Sequence, residues 1–376
     1  MNKHNFFLFS FVLVLLLQIF TLKPSFSIPR ISVGDILAFV PEEAFFFPGN
    51  IHQATLSSFE RVEKNSLIFT GDIMLARNVE YLMRKEGKQY PFAALDFGTV
   101  AINAAVIGNF ESAMSPAHIT TPAFGMTFST ASSALPALSE SGFTHLSLAN
   151  NHSYDYGEDG YQNTVSLLLN NKLTPFGNGK SLGRESVTYV NIPHGRVALI
   201  AVNASEKIPD IALLYKIIGA ASRQSDLQIV TIHWGTEYKE THSSTQELLA
   251  KVLVDAGADL IVGHHPHVVE DVQIVDGVVV FYSLGNYIFD QYFDDDVQTG
   301  LVLSLSLTGT PEVSLLPVTS LGRLSQPSFM SPAKQQEFLS ALARKSDKNL
   351  AASIKKGVIP LPAMVASSQK TTMIVR

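Results

Sequence analysis

Three histidines stand within four residues of the chain, at His264, His265 and His267, directly after a short apolar run and a glycine. In an extended segment, residues two apart point to the same side, so His265 and His267 can both reach one ion or an ion pair. Pro266 between them stiffens the backbone. This spacing favours metal binding by the pair over the surface or core roles that single histidines usually have. For His264 taken alone, metal binding is not favoured.

Other polar residues that bind metals follow separate apolar runs. These residues are Asp72, Asn109, Glu111, Asn151, His152 and His233. Imidazole, carboxylate and amide oxygen together are typical ligands of zinc, manganese or iron at hydrolytic centres. Taken singly, Asp72 is better explained as a turn residue or a helix cap, and Asn151 can likewise cap a turn. Glu111 is harder to explain in that way, because a carboxylate buried after a strand needs a partner.

The elements that must position these residues follow from the apolar pattern. Seven short apolar runs each end in a small or polar residue, which predicts buried strands with functional loops at their ends. The runs cover residues 67–70, 106–107, 145–149, 197–202, 227–232, 260–262 and 278–282. Helical spacing is predicted over 78–84, 130–141, 160–169 and 245–256, two antiparallel strands over 301–307 and 313–318, and a late helix over 333–344. Alternation of strands and helices indicates an α/β domain.

Composition excludes several classes of function. The chain has 376 residues, a formal net charge of −6 and no cysteine. The absence of cysteine removes disulfides, thiolate nucleophiles and zinc–thiolate sites. No basic stripe is present to bind a nucleic acid, so no nucleic-acid partner is expected.

The N-terminus predicts export. Lys3 precedes an almost wholly apolar stretch from Phe6 to Phe20, and small residues follow. This order is typical of a secretory signal, with an uncleaved membrane anchor as the alternative. We therefore expect the protein on the extracellular or cell-surface side, either secreted or membrane-anchored.

The predicted organisation is a signal peptide or anchor over 1–27, a connector over 28–64, the main domain over 65–320, and a C-terminal helix and polar tail over 321–376.

The motifs resemble those of the CapA-type capsule (poly-γ-glutamate) synthesis family, within the calcineurin-like metallophosphoesterases. The matching stretches occur in family order, at residues 70–75, 108–111, 149–155, 233–238, 263–268 and 282–287. The resemblance implies an α/β fold built as a four-layer αββα sandwich. It also implies a divalent metal centre of Mn, Zn or Fe, with the ligands Asp72, Glu111, Asn151, His233, His265 and His267. His152 would then stand beside the leaving group.

The sequence departs from the phosphoesterase pattern at two positions. Met74 stands where the usual Asp-x-His motif has histidine, and Asn109 stands where a metal-bridging aspartate is usual. The bridging role therefore passes to Glu111, two residues further on. Either a one-metal enzyme or a binding protein that kept the scaffold is compatible with these changes.

Two hypotheses about function follow from the resemblance. The first is a metal-dependent hydrolase or transferase that acts on a phosphoester or related bond. The second is an accessory protein that binds an anionic capsular polymer during export without turning it over, together with membrane-bound synthesis and export machinery. A periplasmic sugar- or peptide-binding module is a weaker third. Arg77, Asn109 and His264 are predicted to contact the substrate, although Arg77 also fits a solvent-exposed position on a helix.

Overall fold

The structure is a computed structural model that describes residues 66–101, 104–193 and 195–361. The predicted signal peptide or anchor, the connector and the end of the C-terminal tail lie outside these residues. Among the helices of the described ranges, none combines the length and the apolar character that crossing a membrane requires.

Fifteen strands are present in the described ranges, and they form two sheets. Their bounds are β1 Leu67–Ile73, β2 Ala105–Phe110, β3 His145–Ser147, β4 Thr174–Phe176, β5 Val187–Ile192, β6 Gly195–Asn203, β7 Leu227–His233, β8 Leu260–His264, β9 Val272–Val275, β10 Val278–Phe281, β11 Asn286–Ile288, β12 Thr299–Ser306, β13 Glu312–Thr319, β14 Ser328–Phe329 and β15 Val358–Pro360.

The first sheet has the order β14-β13-β12-β1-β2-β3-β4, with β11 beside β1 and β15 beside β13. Strands β1 to β4 are parallel, whereas β12 and β13 are antiparallel. The second sheet has the order β5-β6-β7-β8-β10-β9, and its four inner strands are parallel. Parallel strands bring their carboxyl ends to one edge, which is where open α/β sheets bind ligands.

Eight helices in the described residues cover the sheets. Their bounds are α1 Arg77–Glu86, α2 Phe97–Val100, α3 Leu135–Glu140, α4 Gly157–Asn170, α5 Ile211–Ser222, α6 Ser244–Ala256, α7 Pro332–Lys345 and α8 Ala351–Lys356. Helix α6 begins at a capping box, in which the Ser243 hydroxyl accepts a hydrogen bond from the Gln246 backbone N–H. Such a cap satisfies N–H groups that have no partner within the helix.

Three apolar cores separate four layers. Alternate residues of β1 face opposite sides, so Ile68 packs with α1, α3 and α4, while Leu67 and Phe69 pack against the second sheet. Ala198 and Ile200 on the outer face of β6 pack with α5 and α6. The order of layers is therefore helices, sheet, sheet, helices. This confirms the predicted α/β fold, the four-layer αββα sandwich.

The seven predicted buried runs are confirmed as β1, β2, β3, β6, β7, β8 and β10, and the late antiparallel pair is confirmed as β12 and β13. The helix predicted over 130–141 is shorter, because a 3-10 turn over Ser132–Ala134 precedes α3 and Pro136 occupies its first turn. Helix α5 was not among the predicted helices. The described residues after 320 add β14 and β15 to the first sheet through β13.

Candidate metal centre

The candidate site lies at the carboxyl ends of strands from both sheets. In the first sheet, Asp72 of β1 stands opposite Asn109 of β2. In the second sheet, His233 at the end of β7 stands opposite His264 at the end of β8. The two-sheet framework thus brings together side chains that are almost two hundred residues apart in the chain.

Gly71 allows β1 to lie close to the loop that leads into β11. A Cβ atom at this position would stand 1.9 Å from the Gly285 carbonyl oxygen, so any other residue would force the two segments apart. The next backbone N–H, that of Asp72, donates to the same carbonyl at 3.0 Å. This close approach fixes the backbone that carries the Asp72 carboxylate.

Two overlapping groups of buried side chains have the arrangement of metal ligands. Asp72, Glu111 and His267 form one group, named here the aspartate subsite, and Glu111, His233 and His265 form the other, the histidine subsite. Within each group, one potential ligand atom per residue lies within 4.8 Å of the others. Glu111 belongs to both, which is the position of a ligand that bridges two ions.

Glu111 is the residue that most requires a cation. Its side chain is 0% exposed, and neither carboxylate oxygen has a hydrogen-bond partner. Its Oε1 atom lies 3.9 Å from His233 Nε2 and 3.7 Å from His267 Nε2. Burial raises the pKa of the Glu111 carboxyl well above its ordinary value, and the charge of His267 offsets only part of that rise. A buried carboxylate without a partner is costly, and a divalent ion bound by oxygen and nitrogen donors would remove this cost.

The aspartate subsite contains a charged pair. Asp72 Oδ2 lies 3.3 Å from His267 Nδ1. Burial alone would raise the pKa of Asp72, but the hydrogen bond from His267 and the charges of His264 and His267 lower it overall. Burial alone would lower the pKa of His267, yet the negative charges of Glu111 and Asp72 raise it to about 9. The pair is therefore ionised at neutral pH.

The histidine subsite contains neutral imidazoles. Burial lowers the pKa of His233 well below its ordinary value, and burial followed by the charge of His267 lowers the pKa of His265 to about 4. Nδ1 of His265 is buried and has no hydrogen-bond partner. Asn151, the other predicted ligand, places Oδ1 2.8 Å from His233 Nε2. These neutral nitrogens and the amide oxygen have the form in which metal ligands bind.

Asn109 connects the two subsites. Its Nδ2 donates to Asp72 Oδ1 at 2.8 Å and lies 3.1 Å from His233 Nδ1, while its Oδ1 accepts from Asn150 at 3.1 Å. His264 is also buried, with Nε2 3.1 Å from the Thr70 carbonyl oxygen. Because their hydrogen bonds are made within the protein, this placement favours structural roles. Their predicted contact with a substrate stays a prediction.

Arg77 is buried beside the site, not exposed on its helix. Its side chain is 9% exposed and forms an ion pair with Asp290. Nη1 donates to the Gly125 carbonyl at 3.3 Å, and the guanidinium lies 4.6 Å from the centre of the Phe128 ring. These contacts use most of the arginine head, and its predicted role toward a substrate stays a prediction.

His152 forms a dyad with Asp155 at the rim of the site. Nδ1 lies 2.9 Å from Asp155 Oδ2, which also accepts from the Phe128 backbone N–H at 2.6 Å. The imidazole stacks on the Phe128 ring with the two centres 4.0 Å apart. Asp155 therefore holds the proton on Nδ1 and leaves Nε2 available for proton transfer.

Sequence reasoning gave no functional role to several residues around the ligands. Asn286 places Oδ1 3.0 Å from His267 Nδ1, and Asp155 orients His152. The signal for Asp155 was its three-residue spacing from His152, and the signal for Asn286 was its position just after the apolar run 278–282. Tyr238 and Gln291 contact this network from outside. Tyr238 belongs to the matching stretch 233–238, whereas Gln291 lies outside all of the matching stretches.

Strained backbone accompanies the site. Non-glycine residues with positive φ include Arg77, Tyr238, His265 and His267, at 50°, 63°, 98° and 60°. Such conformations persist only where the surrounding structure holds them, and they cluster at functional sites. The structure thus gathers all six predicted ligands at one edge, where Asn151 contacts the histidine subsite through His233. That they bind metal stays a prediction.

Comparisons with known proteins find a family model, relatives and a solved structure that are similar to this chain. A family model described as "Bacterial capsule synthesis protein PGA_cap" matches residues 66–291. "PGA biosynthesis protein CapA" of Bacillus subtilis is 28% identical and covers 85% of this chain and 88% of its own. "Capsule biosynthesis protein CapA" of Bacillus anthracis is 32% identical, with 68% and 67% covered. A solved phosphatase of Mycoplasma pneumoniae aligns at a TM-score of 0.42 and 15% identity, over 68% of this chain and 88% of that one.

Proposed function

Because the chain belongs to the bacterial capsule synthesis family PGA_cap, we propose that it is a metal-dependent hydrolase or transferase acting in capsule synthesis. The proposed reaction breaks or transfers a phosphoester or related bond. The observation that carries this proposal is Glu111, a fully buried carboxylate without a partner that lies between two groups of nitrogen and oxygen donors.

The two subsites fit divalent ions in donor type and spacing. Asp72 and His267 on one side, and His233 and His265 on the other, would hold two ions with Glu111 between them. Asn151 would add an amide oxygen beside His233. A divalent ion of Mn, Zn or Fe bound there supplies Lewis-acid chemistry, which stabilises negative charge on a substrate oxygen and lowers the pKa of water.

The remaining chemistry falls to the His152–Asp155 dyad. With one proton held on Nδ1 by Asp155, the imidazolium form of His152 can give its Nε2 proton to the leaving oxygen as the bond breaks, which leaves His152 neutral. Stacking on Phe128 limits rotation of the imidazole, so the donor keeps one direction. General acid catalysis of this kind typically contributes about 10²–10⁴ to the rate.

The proposed setting is the extracellular or cell-surface side, with the protein secreted or anchored in the membrane. The apolar stretch that follows Lys3 supports this part of the proposal. The proposed partners are the capsular polymer, or a phosphoester derived from its synthesis, and membrane-bound synthesis and export machinery. The names of the two Bacillus relatives support the capsule setting.

A second candidate function is supported by Asn109. An amide occupies the position where phosphoesterases usually have a bridging carboxylate, which lowers the negative charge available to hold two ions. A protein with a weakened centre would serve as a non-catalytic accessory that binds an anionic capsular polymer during export.

Metal analysis combined with hydrolysis separates the two candidates. The wild-type protein, His265→Ala and Asp72→Ala would be loaded with Mn²⁺ or Zn²⁺, analysed for bound metal and assayed with p-nitrophenyl phosphate. We expect the wild type to retain two ions and hydrolyse the probe, and each of the two variants to lose one ion together with hydrolysis. His242→Ala is the matched control, since that histidine pairs with Asp271 outside the subsites. No bound metal in the wild type, and hydrolysis equal in all four proteins, would support the accessory function.

A further inference from the structure

A closed ring of hydrogen bonds surrounds the His265-Pro266-His267 segment from the solvent side. The Tyr238 backbone N–H donates to the Pro266 carbonyl at 2.8 Å. The Tyr238 hydroxyl accepts from Gln291 Nε2 at 3.0 Å, and Gln291 Oε1 accepts from Asn286 Nδ2 at 3.0 Å. Asn286 Oδ1 lies 3.0 Å from His267 Nδ1 and completes the ring. We name the three side chains of Tyr238, Gln291 and Asn286 the brace.

The brace fixes which nitrogen of His267 faces the metal centre. Asn286 Nδ2 donates to both Gln291 Oε1 and the Val297 carbonyl, at 3.0 and 2.9 Å, so the amide oxygen must point to His267. His267 Nδ1 therefore faces two acceptors, Asn286 Oδ1 and Asp72 Oδ2, and keeps its proton. Nε2 is left toward Glu111, 3.7 Å from Oε1. Partners of this kind set the orientation of a ligating imidazole.

The brace also holds strained backbone. His265 and His267 adopt φ values of 98° and 60°, and Tyr238 itself adopts 63°. A bulky residue is rarely found in this region unless its neighbours fix it there. The Tyr238 bond to Pro266 acts on the backbone between the two histidines, and the Asn286 bond acts on the His267 side chain. The two contacts together keep the segment in its bent form.

We propose that Tyr238, Gln291 and Asn286 are positioning residues that set the affinity of the aspartate subsite through His267. The inference rests on the proposed function, because it assumes that the subsites bind divalent ions. The effect is selective, since the brace bonds the side chain of His267 but not that of His233 or His265. Weakening the brace therefore weakens one subsite more than the other.

Gln291 offers the sharpest test. Gln291→Leu keeps similar volume but removes both hydrogen bonds, whereas Gln291→Glu keeps an acceptor for Asn286 and a partner for the Tyr238 hydroxyl. Tyr292→Phe is the matched control, because Tyr292 follows Gln291 in the chain but takes no part in the brace. The Tyr292 hydroxyl forms hydrogen bonds with Asn78 and Ser325 instead. Each protein would be stripped with chelator and titrated with Mn²⁺ and Zn²⁺ against a competing chromophoric chelator, with bound ions counted by elemental analysis.

We expect Gln291→Leu to lower the affinity of one of the two bound ions by about tenfold, the scale typical of residues that orient ligands. Gln291→Glu and Tyr292→Phe should retain both ions at wild-type affinity. The proposal is overturned if Gln291→Leu matches the wild type, if it weakens both ions equally, or if Gln291→Glu is as defective as Gln291→Leu.

Failure of the brace and failure of the proposed function give different results. A wild-type protein that binds no ion removes the proposed function, whereas two ions in the wild type and in Gln291→Leu at equal affinity remove only the brace. Where Gln291→Leu fails to fold by circular dichroism, Tyr238→Phe replaces it, since only one side-chain bond is lost. A fall of about threefold in the affinity for one of the two ions would then support the brace, and unchanged affinities for both ions would overturn it.

Discussion

The aspartate subsite and the histidine subsite share Glu111 but differ in their charge before an ion binds. In the aspartate subsite, Asp72 and His267 already form an ionised pair at 3.3 Å. In the histidine subsite, His233 and His265 are uncharged because burial lowers their pKa values. One subsite is therefore closed by an internal ion pair, and the other presents uncharged nitrogen ligands.

This difference teaches that two neighbouring sites with similar donors need not bind metal alike. An ion entering the aspartate subsite must displace the proton of His267 and replace its attraction for Asp72. An ion entering the histidine subsite displaces no proton from His233 or His265 at neutral pH, and any proton of Glu111 is common to both subsites. We expect the histidine subsite to fill first and the aspartate subsite to depend more strongly on pH.

The largest effect is expected from Glu111→Gln, which removes the ligand common to both subsites. We expect bound metal and hydrolysis to be lost together. Without metal, the variant should be more stable than the wild type by about 1–3 kcal/mol, because it removes a buried carboxylate without partners. The raised pKa of Glu111 leads to the same expectation of a more stable variant. An acid whose pKa is higher in the folded than in the unfolded state makes the wild type less stable as pH rises. Elemental analysis and thermal unfolding in chelator provide the measurements.

Glu270→Gln is the matched control for that experiment. Glu270 is another buried carboxylate with one oxygen lacking a partner, and burial raises its pKa to about 8, yet it belongs to neither subsite. It should retain wild-type metal content. Equal loss of metal in the two variants would show that Glu111 has no special role.

The next effect separates the subsites. His265→Ala should remove the ion of the histidine subsite, and His267→Ala the ion of the aspartate subsite, so each variant should retain one ion. Replacing a residue that only orients a ligand typically lowers metal affinity by about 10- to 100-fold. Removing a ligand itself should lower the affinity for the lost ion by more than this. Calorimetric titration with Zn²⁺ would count the ions, and loss of both ions from either variant would contradict two separable subsites.

A smaller effect is expected from pH. His267 has its pKa raised to about 9 from the ordinary 6.5, so its proton stabilises the metal-free fold fully below 6.5 and is lost as pH approaches 9. Affinity at the aspartate subsite should therefore rise about tenfold per pH unit between 7 and 9. Affinity at the histidine subsite should change less over this range, since His265 has its pKa lowered to about 4 and Glu111 is common to both subsites. Zn²⁺ titrations at three pH values would test this, and equal slopes for the two ions would refute it.

The smallest effect is expected from Asn109→Asp, which restores the carboxylate usual in phosphoesterases. The new carboxylate would stand about where the amide now donates to Asp72 at 2.8 Å, so like charges would lower stability without metal. With metal, the added charge should strengthen binding by about three- to tenfold and make the subsites more alike. Unfolding temperatures with and without Mn²⁺ give the readout. Lower stability under both conditions would show that Asn109 is required as an amide.

The strand-end placement of the ligands was predictable because it depends on a local pattern. An apolar run that ends in a small or polar residue identifies both the strand and the edge at which Asp72, His233 and His265 meet. The three histidines within residues 264–267 made the prediction of a metal site more specific. These signals suffice for the α/β class and for the position of the candidate site, whereas the four-layer sandwich was implied by the family resemblance.

The partners of the ligands were not predictable in the same way, because they depend on contacts between distant segments. Arg77 fits a surface helix by sequence, and only the fold brings Asp290 and Phe128 against it. Gln291 reaches Tyr238 across 53 residues of chain. Helix α5 was missed because its apolar residues Ile211, Leu213, Leu214, Ile217 and Ile218 give little contrast between two faces.

Trp234, the single tryptophan of the chain, immediately follows the predicted ligand His233. Its side chain is buried, the indole N–H donates to the Tyr282 carbonyl at 2.8 Å, and the indole stacks on the Tyr282 ring. Emission excited beyond the tyrosine absorption band therefore comes from one rigid chromophore beside the histidine subsite. Without any label, quenching by a paramagnetic ion would report occupancy in real time and give the rate at which ions enter and leave.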